Sequence, residues 1–149
     1  MKSVAVRAGV LLSALLFSAA MLTMAQQTQT TIKKAPIPRT SAASGEEMFN
    51  SYCAACHGKD AKGNGPAVAA LKVPPPDLTT LSQRHDGKYP TMYVESVLKF
   101  GAENFPVHGT KDMPIWGPVL GSISGGTNTP QTNERIYNLN RYIESLQAK

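Results

Sequence analysis

Cysteine is scarce in this chain. Its 149 residues hold two, Cys53 and Cys56. A framework of several disulfides is therefore excluded, and no second thiol pair exists for a structural zinc site. Histidine is nearly as sparse, at His57, His85 and His108. There is no internal repeat and no βαβ pattern around the cysteines, which a thioredoxin-like dithiol would want. The one long apolar run lies before residue 25, is broken by Ser13 and Ser18, and is short for a membrane span. Excess charge is also missing where it would matter. The formal +5 comes from Lys2, Arg7, Lys33, Lys34 and Arg39; from Ser44 onward ten basic residues meet ten acidic ones. No nucleic-acid-binding surface follows from that balance.

The two cysteines stand in Cys53-Ala54-Ala55-Cys56-His57. C-x-x-C-H is the attachment signature of c-type haem. Thiols at i and i+3 share one face of a helical turn and can reach the two vinyl groups of one porphyrin. The adjoining His57 can then offer its imidazole to the iron. A redox dithiol, a zinc site and a plain disulfide are the alternatives at this point. One such motif implies one haem, which would itself supply much of the core of a small domain.

The rest of the chain divides simply. Lys2 and Arg7, an apolar stretch from Val10 to Leu22 and a small residue at Ala25 read as a secretory signal over residues 1–25; an uncleaved anchor is the alternative. Residues 26–43, rich in Gln, Thr, Ala and Pro, read as a flexible linker, with an arm wrapping the domain as the rival. Residues 44–149 are the expected domain, and the class is all-α. Ser44-Gly45-Glu46-Glu47 predicts a capping box opening the first helix. Short helical pieces are expected over 67–72 and from Thr79 or Thr80 to Arg84. The run Val73-Pro74-Pro75-Pro76 must be extended. An exposed turn is expected at 85–88, a helix from Pro90 to Gly101, and loops over 101–112 and 121–129. Thr129-Pro130 then caps a final amphipathic helix carrying Ile136, Leu139, Ile143 and Leu146.

Gly45-Glu46-Glu47-Met48-Phe49, followed by Tyr52 and Cys53 to His57, resembles the opening helix of class I c-type cytochromes, and the likeness runs to the C-terminus. The resemblance implies one covalent haem c and N- and C-terminal helices crossing around it. Tyr142-Ile143 would meet Gly45 and Phe49 at that crossing. It implies that a carbonyl at the Gly65-Pro66 pair holds the ring N–H of His57. It also implies Met113, in Lys111-Asp112-Met113-Pro114-Ile115-Trp116-Gly117, as the sixth iron ligand, with Trp116 packing near the porphyrin or a propionate. A thioether is soft and apolar, and suits a dry pocket and ferrous iron. His108 is the main rival ligand and His85 a lesser one. The function so implied is one-electron transfer without catalysis in a periplasmic, respiratory chain, between redox-protein donors and acceptors. The protein would be a monomer or in a weak complex, with no stable membrane insertion once the signal is cut. A haem subunit or dedicated partner of a dehydrogenase or oxidase, and a peroxidase with an open distal side, are the other readings.

Overall fold

The computed structural model describes residues 36–102 and 112–148. The expected signal, the linker up to residue 35 and the rival ligand His108 lie outside the described residues. Among those described there are five α-helices and no strand, in keeping with the all-α class.

The opening helix has three parts. α1 spans Gly45–Met48, a wider π-helical turn spans Phe49–Cys53, and α2 spans Ala54–His57. Ser44 caps it, its Oγ accepting from the Glu47 N–H at 3.1 Å. Glu47 does not close the box. Its carboxylate accepts instead from the Ser41 N–H at 3.1 Å, which draws the preceding segment onto the helix. In the π-helical turn the Ala54 N–H reaches back to the Phe49 carbonyl. Phe49 and Cys53 are both buried. Such single wide turns concentrate at functional sites.

The remaining helices are α3 (Thr91–Phe100), α4 (Trp116–Ser122) and α5 (Pro130–Ser145). Thr129 caps α5, its Oγ1 accepting from the Thr132 N–H at 3.2 Å, and Pro130 takes the first helical position. The apolar face of α5 buries Ile136, Leu139 and Ile143. α1 crosses α5 where Gly45 leaves no room for a side chain: a Cβ there would lie 2.7 Å from Tyr142 Cβ and closer still to the Asn138 carbonyl. The rings of Phe49 and Tyr142 meet beside the crossing, centroids 5.5 Å apart. α3 and α4 pack on one another and on α5 to complete the core, with Leu98 and Leu120 buried between them.

Several local expectations shift. The piece over 67–72 shrinks to one 3-10 turn, Val68–Ala70. The cap of the next turn, Leu78–Thr80, is Asp77, whose carboxylate accepts from the Thr79 hydroxyl at 2.6 Å and from the Thr79 N–H at 2.8 Å; the hydroxyl first, and then the N–H, hold the Asp77 carboxyl below its ordinary pKa against the effect of burial. His85 is half-buried at the end of a 3-10 turn, Gln83–His85, and not in a fully exposed turn. α4 occupies a stretch for which no element was expected, and its end runs into the loop expected over 121–129. The linker also ends earlier than residue 43. Thr40 is buried, and Pro38 to Ala42 are bound to the helices as an arm. The Arg135 guanidinium donates to the Thr40 carbonyl at 2.9 Å, and Asn138 donates to the Ala42 carbonyl at 2.9 Å.

Candidate functional site

A cavity of about 530 Å³ opens between the end of the first helix, the Pro74–Pro76 run and the Met113 loop. That is within the range of about 300–1,000 Å³ typical of small-molecule sites. Cys53, Cys56, His57, Met113 and Trp116 all line it, so five of the six residues singled out in the sequence converge. Pro66 does not line it and is exposed.

The wall bearing His57 is built by a loop that wraps the end of α2. The last carbonyls of a helix have no partners of their own. Here the N–H groups of Ala67, Gly65 and Gly63 donate to the carbonyls of Ala55, Cys56 and His57 at 2.8, 3.0 and 2.8 Å. Gly65 is required by this close pass, since a Cβ there would lie 2.6 Å from the Ala54 carbonyl oxygen. The Gly65-Pro66 pair therefore secures the end of the helix. The carbonyl acting on the His57 imidazole is that of Pro76, on the extended proline run. The Leu78 N–H, bonded to the Ala61 carbonyl at 2.8 Å, ties that run to the same loop.

His57 is 8% exposed. Burial lowers its pKa below the ordinary value, opposed in smaller part by the Pro76 carbonyl. The ring is thereby held neutral, the form that can donate a lone pair to a metal. Its Nδ1 makes no hydrogen bond of ordinary geometry, although buried polar atoms nearly always do. Cys53 is buried, and the thiol is pushed up to about 12 by burial and by the charge of Cys56. Reactive dithiols depend on a lowered pKa, and that of Cys53 moves the other way. The two sulfurs are not joined to one another. Among the described residues no group of three or more His, Cys, Asp or Glu side chains could hold a metal ion.

The cavity is also lined by Met113, half-buried, and by Trp116, 8% exposed at the start of α4. The Tyr52 ring lies on Trp116 with centroids 5.6 Å apart. Asp112 accepts from the Lys72 N–H at 3.4 Å, linking this loop to the start of the proline run. Arg84 and His85 complete the rim. Arg84 donates to the Asp77 carbonyl at 2.8 Å. His85 Nδ1 lies 2.8 Å from the Leu81 carbonyl, and its ring lies on Tyr93. Arg84 was given no site role from the sequence, Tyr52 entered only as part of the opening-helix motif, and Pro76 only as part of the extended proline run. Only position beside the cavity marks them, apart from the adjacency of Tyr52 to Cys53.

A large, mostly apolar cavity lined by two thiols and a buried, neutral imidazole fits a covalently held porphyrin. Comparison with known proteins agrees. The cytochrome c family profile matches residues 42–147. Over 66 residues the chain is 36% identical to cytochrome c-551 of Bacillus subtilis (strain 168), a stretch covering 44% of this chain and 47% of that protein. The chain thus spans about half the length of this curated relative. No solved structure matches the chain. Family members carry electrons on covalent haem c, exchanging them with redox donors and acceptors. With a profile match over most of its length and a cavity shaped for that cofactor, the chain belongs to the cytochrome c family.

Proposed function

We propose that this protein is an exported one-electron carrier, in which Cys53 and Cys56 would hold a single haem c and His57 and Met113 would supply its iron ligands. The observation that carries this reading is the convergence of those four side chains on one cavity. When bound, the haem supplies the redox chemistry, cycling between ferric and ferrous iron. The chain's own residues fix where and how readily this happens. The carbonyls of Ala55, Cys56 and His57 are all engaged by the wrapping loop, so α2 cannot fray and the imidazole is held in place. The Pro76 carbonyl acts on that ring from outside, orienting it and adding to its basicity. Met113 offers a soft thioether, which as an iron ligand would favour the ferrous state and would leave no open position for small molecules. Trp116, Leu81 and Leu98 keep the surroundings apolar. Arg84 on the rim places a permanent positive charge where a carboxylate of the cofactor can meet it. The signal-like stretch over residues 1–25 supports export, and among the described residues no helix is long and apolar enough to cross a membrane.

Denaturation in acidified organic solvent tests attachment. The polypeptide keeps its colour if Cys53 and Cys56 hold the haem through thioethers, and a colourless chain refutes it. Met113→Ala tests the distal ligand. The weak near-infrared band of thioether-bound ferric haem should vanish, the potential should fall, and peroxide reactivity should appear. A parent that lacks the band and binds carbon monoxide at once has an open iron, and the carrier reading gives way to the enzyme one.

A further inference from the structure

Tyr52 joins two parts of the structure through opposite ends of one side chain. Its ring lines the haem cavity and lies on Trp116 at 5.6 Å, with an interplanar angle of 31°. Its hydroxyl donates to the Pro38 carbonyl at 2.6 Å and lies 2.9 Å from Thr40 Oγ1. The phenolic proton goes to Pro38, so the Thr40 hydroxyl donates to the phenol oxygen. Thr40 Oγ1 then still accepts from Arg135 Nη1 at 3.0 Å, and the Thr40 carbonyl accepts from Arg135 Nη2 at 2.9 Å.

Arg135 is 5% exposed, and its hydrogen-bond partners among the described residues are neutral: Thr40, Ser124 Oγ at 2.9 Å and Met48 Sδ at 3.8 Å. A guanidinium does not lose its proton in a protein. Buried, it needs every acceptor it has, and bonds from a charged donor are roughly twice as strong as neutral ones. The arm is thus anchored by a buried cation on α5, the arm anchors the phenol, and the phenol anchors the ring that opens α4. Trp116 stands three residues after Met113, with the stiff Pro114 between.

We propose that Tyr52 is a positioning residue for the distal ligand, with Pro38 to Thr40 acting as a strap. Held by Arg135, the strap fixes the Tyr52 ring against Trp116, and through Trp116 it keeps Met113 at the haem. This inference rests on Met113 being the sixth ligand. Filling space cannot be the whole role of Tyr52, because a phenylalanine ring would do that without the two hydroxyl contacts.

The test uses the full-length holoprotein and the variants Tyr52→Phe, Thr40→Ala and Tyr89→Phe. Tyr89→Phe is the control: it removes a bond of the same kind, to Asn140 Oδ1 at 2.7 Å, from a side chain that does not line the cavity. Two readouts are taken. One is the rate at which added imidazole displaces the native ligand from ferric haem. The other is the emission of Trp116, the chain's sole tryptophan, which haem quenches according to distance. Each substitution removes two hydrogen bonds, and imidazole entry should speed up at least about five-fold in Tyr52→Phe and in Thr40→Ala. Trp116 emission should rise and the near-infrared band weaken in both. Tyr89→Phe should keep the parent's rate and emission even where its urea midpoint falls. A Tyr52→Phe protein with the parent's rate and emission overturns the inference, as does a Tyr89→Phe protein that changes both equally. A parent without the near-infrared band removes the ligand reading and this inference with it. A parent with the band and a silent Tyr52→Phe removes this inference alone.

Discussion

Gly45→Ala probes the crossing that closes the fold. The added Cβ would stand 2.7 Å from Tyr142 Cβ and 2.8 Å from the Asn138 carbonyl carbon, with the carbonyl oxygen nearer still. Carbon atoms pack comfortably at about 3.5–4.0 Å. None of the three obstacles can rotate away, because two are backbone and one is a Cβ. The helices must therefore separate by about 1 Å, and a gap of that size forfeits a quarter to a half of each dispersion contact it opens. The Phe49–Tyr142 pair and the contacts of Ile136 and Leu139 lie across that seam. Overpacking of this kind costs about 1–3 kcal/mol. Alanine's better helix propensity offsets about 0.5–1 kcal/mol at most, and less at a first-turn position. The expected net loss is about 1–2 kcal/mol, which lowers the Tm by about 4–8 °C per kcal/mol in a domain of this size. Paired urea titrations of the oxidised holoproteins read it. A Gly45→Ala protein as stable as the parent, or more so, would show that α1 and α5 do not cross at this residue.

Other substitutions separate the parts of the account. His57→Ala should abolish low-spin haem, since neither other histidine can reach the iron from beside Cys56; an unchanged visible spectrum contradicts the assignment. Tyr142→Ala should cost about 2 kcal/mol by urea titration, below the usual 3–5 for a fully buried ring because Tyr142 is only half-buried; a loss within about 0.5 kcal/mol would make it a surface residue. Arg135→Ala should cost about 2–3 kcal/mol in the same assay, because the Thr40 carbonyl and hydroxyl lose their charged donor. It should also open the Pro38–Arg39 segment to limited proteolysis, and an arm as resistant as the parent's would refute the anchoring role.

What could be read from the residues divides along a physical line. C-x-x-C-H was legible because covalent chemistry dictates both residue types and spacing. The α5 face and its Thr129-Pro130 cap were legible because helix periodicity and capping are local. α4 was not, since Trp116-Gly117-Pro118 is a poor helix former by propensity, and contacts with α3 and α5 decide the matter. The choice of Pro66 as partner to the histidine failed for a different reason. A backbone carbonyl carries no mark of its own in the sequence, and the bend that brings Pro76 to His57 depends on the Ala61–Leu78 bond across the loop. The arm stood only as the rival reading, because its polar composition suits a linker. Its order comes from Arg135, 95 residues away from Thr40 in the chain.

A reductive titration of the purified protein, followed from the visible into the near infrared, tests the central claim most directly. The account predicts one haem per chain, a single one-electron transition, and a thioether band in the ferric protein that disappears in step with reduction. Two transitions, or a ferric spectrum without that band together with rapid binding of cyanide or carbon monoxide, would contradict a His57–Met113 electron carrier.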